Sequence, residues 1–289
     1  MPLDASPGLQ GDARSGSPER AGASARRPPQ GPLPYLRAVW ACRHFWWHLT
    51  KADLRSRYRR SYLGILWSLL NPLLMMLICT LVFGTFFGQD PMTFGPIVFS
   101  GLVVWDFICQ NVTAATGSLL YAEPYIRQAA LPIGIYPLRT TLSAFFHFLV
   151  TIGLLLVFSA TILGPSTALL SLCLSLPILL GLGWCASTIN AIMAVFFRDW
   201  MYLSSVFLQF AFYASPIIYP PEMLSRHGLD WVYRVNPVHY VVQLVREPLL
   251  HQRWPTAGEY AVVVGCLLVL AFLASWITRA TAGRLIFRL

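Results

Sequence analysis

Between residues 63 and 87 the chain runs for 25 residues without one charged side chain. A helix needs about 20 apolar residues to cross the hydrocarbon core of a bilayer. Five further segments read the same way. Residues 97–120 carry only Asp106, and residues 140–163 carry only His147. Residues 167–197, 200–219 and 260–278 are uncharged, and Pro177 predicts a tilt or kink in the first of these. The expectation is an all-α polytopic membrane protein with six transmembrane helices. Charged residues make only 11 % of the chain, against about 25 % in soluble domains. Residues 238–245 are too short to cross and stand between Asn236-Pro237 and Arg246-Glu247-Pro248. They predict a re-entrant piece inside a longer loop, residues 220–258.

The charges orient these spans. With the N-terminus inside, 17 of the 21 Lys and Arg fall on the inner side, and Arg226, Arg234, Arg246 and Arg253 fall outside. The positive-inside rule then makes both termini cytoplasmic and the longest loop external. The same residues exclude a phosphate-binding P-loop, which ends in Gly-Lys-Ser/Thr. The sole lysine, Lys51, stands between Thr50 and Ala52. If the protein uses ATP, another chain binds it.

Residues 1–34 hold seven Pro, five Gly and four Ser, the composition of a disordered tail. Residues 35–60 predict an amphipathic interfacial helix. At about 100° per residue, Leu36, Trp40, Trp47, Leu54 and Tyr58 share one stripe. Arg37, Arg55, Arg57, Arg59 and Arg60 lie off it, and Arg43 sits on it. A solvated basic linker is the competing reading.

Little here points to catalysis. The six cysteines form no CxxC pair and read as reduced thiols. His44 and His48 are four apart but lack a third ligand, so no metal is assigned. There is no nucleophile elbow and no paired-carboxylate motif, hence no catalytic residue. Asp106 is the carboxylate placed deep in a span, where a charge costs about 2.5–3.5 kcal/mol on insertion scales. It must face protein or water, and Gln110, Thr113 and Gly117 share its stripe. Two readings fit: the polar lining of a conduit, or a hydrogen-bonded helix contact. The stripe Gly183, Ser187, Asn190 and Ala194 points to close helix packing instead. Residues 123–131, bracketed by Pro124 and Pro132, form a short helix with Glu123 at its start. It is either an ordinary loop or a lever that docks into a partner.

Residues 54–67 (LRSRYRRSYLGILW), then Asn71-Pro72 and Leu81-Val82-Phe83, resemble the opening signature of ABC-2-type permeases. The likeness is to their polysaccharide-export branch, which serves O-antigen, capsule and teichoic acid. Phe197-Arg198-Asp199, Ser215-Pro216-Ile217-Ile218-Tyr219 and Asn236-Pro237 match further. The resemblance covers residues 35–289. It implies a homodimeric permease served by two copies of a separate ABC ATPase, which would bind ATP and magnesium. The cargo would be a lipid-linked glycan crossing the bacterial inner membrane outward, and no nucleic acid would be involved. Glu123, Tyr125, Ile126, Arg127 and Gln128 would lie on the coupling helix that enters the ATPase. Arg55, Arg57, Arg59 and Arg60 would meet a lipid pyrophosphate or, equally, anchor the helix on anionic lipids. Phe83, Phe86, Phe87, Trp105, Asp106, Phe107, Gln110 and Tyr213 would line the channel, and Arg198 with Asp199 would form a cytoplasmic turn. Export of a drug or small lipid is the alternative within the family. A membrane enzyme using Asp106 or His147 as a base is the alternative outside it.

Overall fold

The computed structural model describes residues 31–59, 61–128, 131–219, 225 and 228–288, and among them the regular structure is entirely helical. In chain order the helices are α1 (Pro32–Ala41), α2 (Arg43–Tyr58), α3 (Gly64–Phe87), α4 (Pro91–Ser118) and the short α5 (Glu123–Gln128). Then follow α6 (Ile135–Leu163), α7 (Thr167–Phe196), α8 (Trp200–Ala214), α9 (Asp230–Val235), α10 (Pro237–Arg246) and α11 (Ala257–Arg288). Five of these, α3, α4, α6, α7 and α11, are long and apolar enough to cross a membrane. Helix α8 has 15 residues and falls short of that length. It stops because Pro216 disfavours helical backbone at the residue before it, and Ser215 turns extended (φ −103°, ψ 141°).

Helix α4 is the centre of the bundle. Of its most apolar stretch 56 % is buried within the protein, against 17 % for α3 and 11 % for α11, which leaves those two at the periphery. Phe99, Val103 and Phe107 of α4 pack with Phe148 and Ile152 of α6, Leu172 and Leu179 of α7, and Val242 and Val245 of α10. Phe107 stacks on Phe148 at 4.8 Å between ring centres. Helices α4 and α7 approach closely because Gly183 has no side chain. A Cβ there would sit 2.9 Å from Phe107 Cζ and 3.0 Å from Asn111 Oδ1. The buried Ser187 hydroxyl donates to the Asn111 carbonyl at 2.9 Å and receives the Thr141 hydroxyl at 3.0 Å, tying α4, α6 and α7 together. Asn190 receives the Trp200 indole N–H at 2.9 Å, so the small-residue stripe of α7 is a packing seam.

The N-terminal region departs from the expectation in two ways. Helix begins at Pro32, inside the segment expected to be disordered, because proline at the first helical position is already set for helix. Residues 1–30 lie outside the described residues. The helix expected over residues 35–60 is two helices broken at Cys42. Of the apolar stripe, Leu36, Trp40 and Trp47 are exposed and Tyr58 bonds His147, while Val39, Phe45, Trp46 and Thr50 pack inward.

Helix α2 runs alongside α6, with contacts from Arg139 to His147. Those positions stand about 6 and 18 Å along α6 from Ile135 at 1.5 Å per residue. At the other end of the bundle, Gln252 takes a left-handed conformation (φ 52°), and its amide donates to Leu163 O and Gly164 O at 2.8 and 2.9 Å. These are terminal carbonyls of α6 that its own helix cannot satisfy. The loop after α10 is thereby stapled to the end of α6.

Candidate functional site

Three polar links fasten α2 to the spans. Asp53 pairs with Arg139 Nε at 3.2 Å. Arg57 donates to Gln110 Oε1 at 3.2 Å, and the Gln110 amide donates to Asp106. The Tyr58 hydroxyl lies 2.8 Å from His147 Nδ1. Asp53, Arg57, Gln110, Tyr121, Arg139 and Thr140 line a cleft of about 230 Å³ between α2, α4 and α6. Burial pushes the Asp53 carboxyl above its ordinary range, and the Arg139 guanidinium pulls it back only in part. Of the stripe drawn below Asp106, Gln110 shares its network, whereas Thr113 bonds its own helix at Cys109 O. Asp106 and His147 have separate partners and are not brought together. Both are held by hydrogen bonds to α2, or through one residue to it. Among the described residues no group of His, Cys, Asp and Glu is placed to hold a metal ion, and all six cysteines are free.

Helix α5 sits at the same end of the bundle as α1. Tyr125 is half-exposed and meets the edge of Phe45 from α2 at 6.4 Å between ring centres. Ile126 packs beside it, in a buried cluster with Leu119, Tyr136 and Phe45. Gln128 is exposed. The Arg127 side chain and residues 129–130 lie outside what is described, so the expected helix 123–131 is established over Glu123–Gln128. The turn that follows is fixed at Gly134. Its N–H donates to the Tyr35 hydroxyl at 2.8 Å, and its carbonyl receives the Trp184 indole N–H at 3.0 Å. Periodicity gave no sign of this last contact, because Trp184 lies 50 positions away on α7.

At the opposite end an aromatic cleft of about 310 Å³ opens between α3 and α8. Five of its seven lining side chains are aromatic: Phe83, Phe87, Phe212, Tyr213 and Tyr219. Trp105 packs on Phe212 at 5.4 Å, and Phe83 stacks on Phe87 at 5.9 Å. The structure therefore gathers Phe83, Phe87, Trp105 and Tyr213, and leaves Phe86 pointing outward. Phe107 lies elsewhere, inside the bundle core. Arg55, Arg57 and Arg59 are exposed on α2 and just after it, and Arg60 lies outside the described residues. Arg198 and Asp199 form the tight turn between α7 and α8, where Asp199 O accepts from Leu203 N at 3.0 Å.

Residues 44–250 match the family model described as "ABC-2 type transporter". The chain belongs to the ABC-2 type transporter family. It is an integral membrane permease, and such subunits lack the ATPase domain and pair with an ABC ATPase. The sole lysine, Lys51, stands in no Gly-Lys-Ser/Thr sequence. Among curated relatives, an "O-antigen export system permease protein RfbA" of Klebsiella pneumoniae is 28 % identical over 198 residues, covering 66 % of this chain and 74 % of that one. A protein of the same name from Myxococcus xanthus is 24 % identical over 237 residues, covering 78 % and 88 %.

Proposed function

We propose that this chain is the permease of an ATP-driven exporter that moves a lipid-linked polysaccharide from the cytoplasmic to the outer face of a bacterial inner membrane. The reading rests on relatives named as O-antigen export permeases that match across 66 % and 78 % of the chain. It is supported by the charge asymmetry of 17 against four, which favours a cytoplasmic side for α5 and both termini. The permease works as a homodimer with two ATPase chains. Helix α8 is the sixth crossing. Its 15 residues span about 22 Å of a core of about 30 Å, and residues 215–219 continue it as a bent, non-helical segment.

Helix α5 enters the ATPase. Nucleotide-driven closure then reaches the spans through its contacts with α2 and the Gly134 turn, because packed elements move as units. Arg55, Arg57, Arg59 and Arg60 receive the lipid phosphate where guanidinium forks suit it. The aromatic cleft meets the cargo at the outer end, with sugar faces against rings. A second reading, export of a small lipid, draws on the same cleft, whose lining is almost wholly apolar.

Deletion of the gene separates the two readings. The polysaccharide reading expects loss of surface glycan and accumulation of lipid-linked glycan inside the cell. Unchanged surface glycan combined with new sensitivity to an amphiphilic drug would replace it with the second.

A further inference from the structure

The end of α8 is a backbone problem, because a helix that stops inside a bilayer leaves four carbonyls without partners. Each has one here. The Ser215 hydroxyl donates to Ala211 O at 2.7 Å, and the Ser215 N–H to Phe212 O at 3.3 Å. The Tyr219 hydroxyl donates to Tyr213 O at 3.1 Å. The last, Ala214 O, receives the Asn236 side-chain amide at 3.1 Å, and the same amide reaches Ser215 Oγ at 2.8 Å. Asn236 is the residue that begins α10, and its Oδ1 accepts the Val238 N–H at 2.9 Å.

The other end of α10 repeats the device. Arg246, only 2 % exposed, donates through Nε to Ser100 Oγ and through Nη2 to Ile97 O, both at 3.1 Å, and Nη2 comes within 3.5 Å of Ile217 O. Space for this is made at Gly101, where a Cβ would lie 2.8 Å from Ile217 O and 3.0 Å from Arg246 Nη2. Ile218 and Tyr219, in the segment so held, line the aromatic cleft.

We infer that α10 is a two-point clamp on residues 215–219, and that Asn236 and Arg246 are positioning residues that hold this segment as the outer gate of the aromatic cleft. The inference rests on the transport reading and orientation above, and it adds the residues that control one end of the path. Asn236 has two separable duties. Its oxygen caps α10, and its amide nitrogen clamps α8. Ionised aspartate is an equally good cap but cannot donate. Asn236→Asp therefore removes the clamp and keeps the cap.

The test uses the full permease with its ATPase chain in cells. The native cysteines are replaced by serine or alanine, and Ile218→Cys reports access to a membrane-impermeant maleimide from outside. The clamp expects Asn236→Asp to raise the labelling rate at least fivefold and to lower glycan exported per ATP hydrolysed by a similar factor. ATP hydrolysis itself should stay within twofold. Arg246→Lys, which keeps one charge but loses the two-sided fork, should act in the same direction. If Asn236→Asp labels and exports like the parent, the amide is only a cap and the clamp is overturned, even where Arg246→Lys fails to assemble. Faster labelling supports the clamp even in a strain whose surface glycan never depended on the gene. That outcome would remove the polysaccharide reading and leave the gate in place.

Discussion

Truncating Phe45 to alanine should uncouple ATP hydrolysis from export. Phe45 meets Tyr125 edge-on at 6.4 Å and shares a cluster with Ile126, so it seats both exposed and buried faces of α5. Full removal of a buried phenylalanine costs about 3–5 kcal/mol. Phe45 is only half-buried, which brings the figure to about 2 kcal/mol. The edge-on contact with Tyr125 contributes about 1 kcal/mol of that, enough to loosen the seat of α5 about fivefold. The permease–ATPase complex in proteoliposomes should therefore hydrolyse ATP near the parental rate while export per ATP falls roughly fivefold. A double-mutant cycle with Tyr125→Ala isolates the contact. The two single effects should sum to more than the double mutant shows. Full additivity, or a parental export-to-hydrolysis ratio in Phe45→Ala, would refute the idea that α2 steers α5.

Three further outcomes follow from the packing and charges. Gly183→Ala places a methyl 2.9 Å from Phe107 and should destabilise the bundle by about 1–3 kcal/mol, read as a lower unfolding temperature in detergent. Because burial holds the Asp53 carboxyl above its ordinary range, its protonated form favours the fold, and that contribution fades as pH rises through the raised pKa. Asp53→Asn should thus leave stability at neutral pH nearly unchanged, whereas Arg139→Gln should cost about 1 kcal/mol by leaving a half-buried carboxylate unpaired. Glu247 behaves oppositely: the hydrogen bond from His251, then the charges of His251 and Arg253, hold its carboxyl low. Its stabilisation is present at neutral pH and lost as pH falls through that lowered value, so Glu247→Gln should lower the melting temperature at pH 7, by progressively less as pH falls below the ordinary carboxylate range.

The bundle was legible in the sequence because hydrocarbon imposes one rule, and charge-free runs report it. What those runs measure is the apolar stretch, not the helix. Helix α4 therefore begins at Pro91 rather than residue 97, and α11 continues past residue 278 through Arg279 and Arg284. Arg139 looked like the edge of a loop, yet it lies in the second turn of α6, because Asp53 pairs with it. The short α8 was foreshadowed by Pro216, although an uncharged run of 20 residues hid the break. The polar links could not be read at all. Tyr58 and His147 stand 89 positions apart, and neither periodicity nor spacing relates them. The break at Cys42 had no signal such as proline or glycine.

Reconstitution tests the whole account most directly. Permease and ATPase chains are placed in proteoliposomes that carry a lipid-linked glycan on the face exposed to ATP, and a lectin trapped inside reports its arrival. The glycan should reach the lectin only with both chains present and with hydrolysable ATP. Arrival without ATP, or with the permease alone, would contradict a membrane subunit that depends on a partner's hydrolysis for its motion.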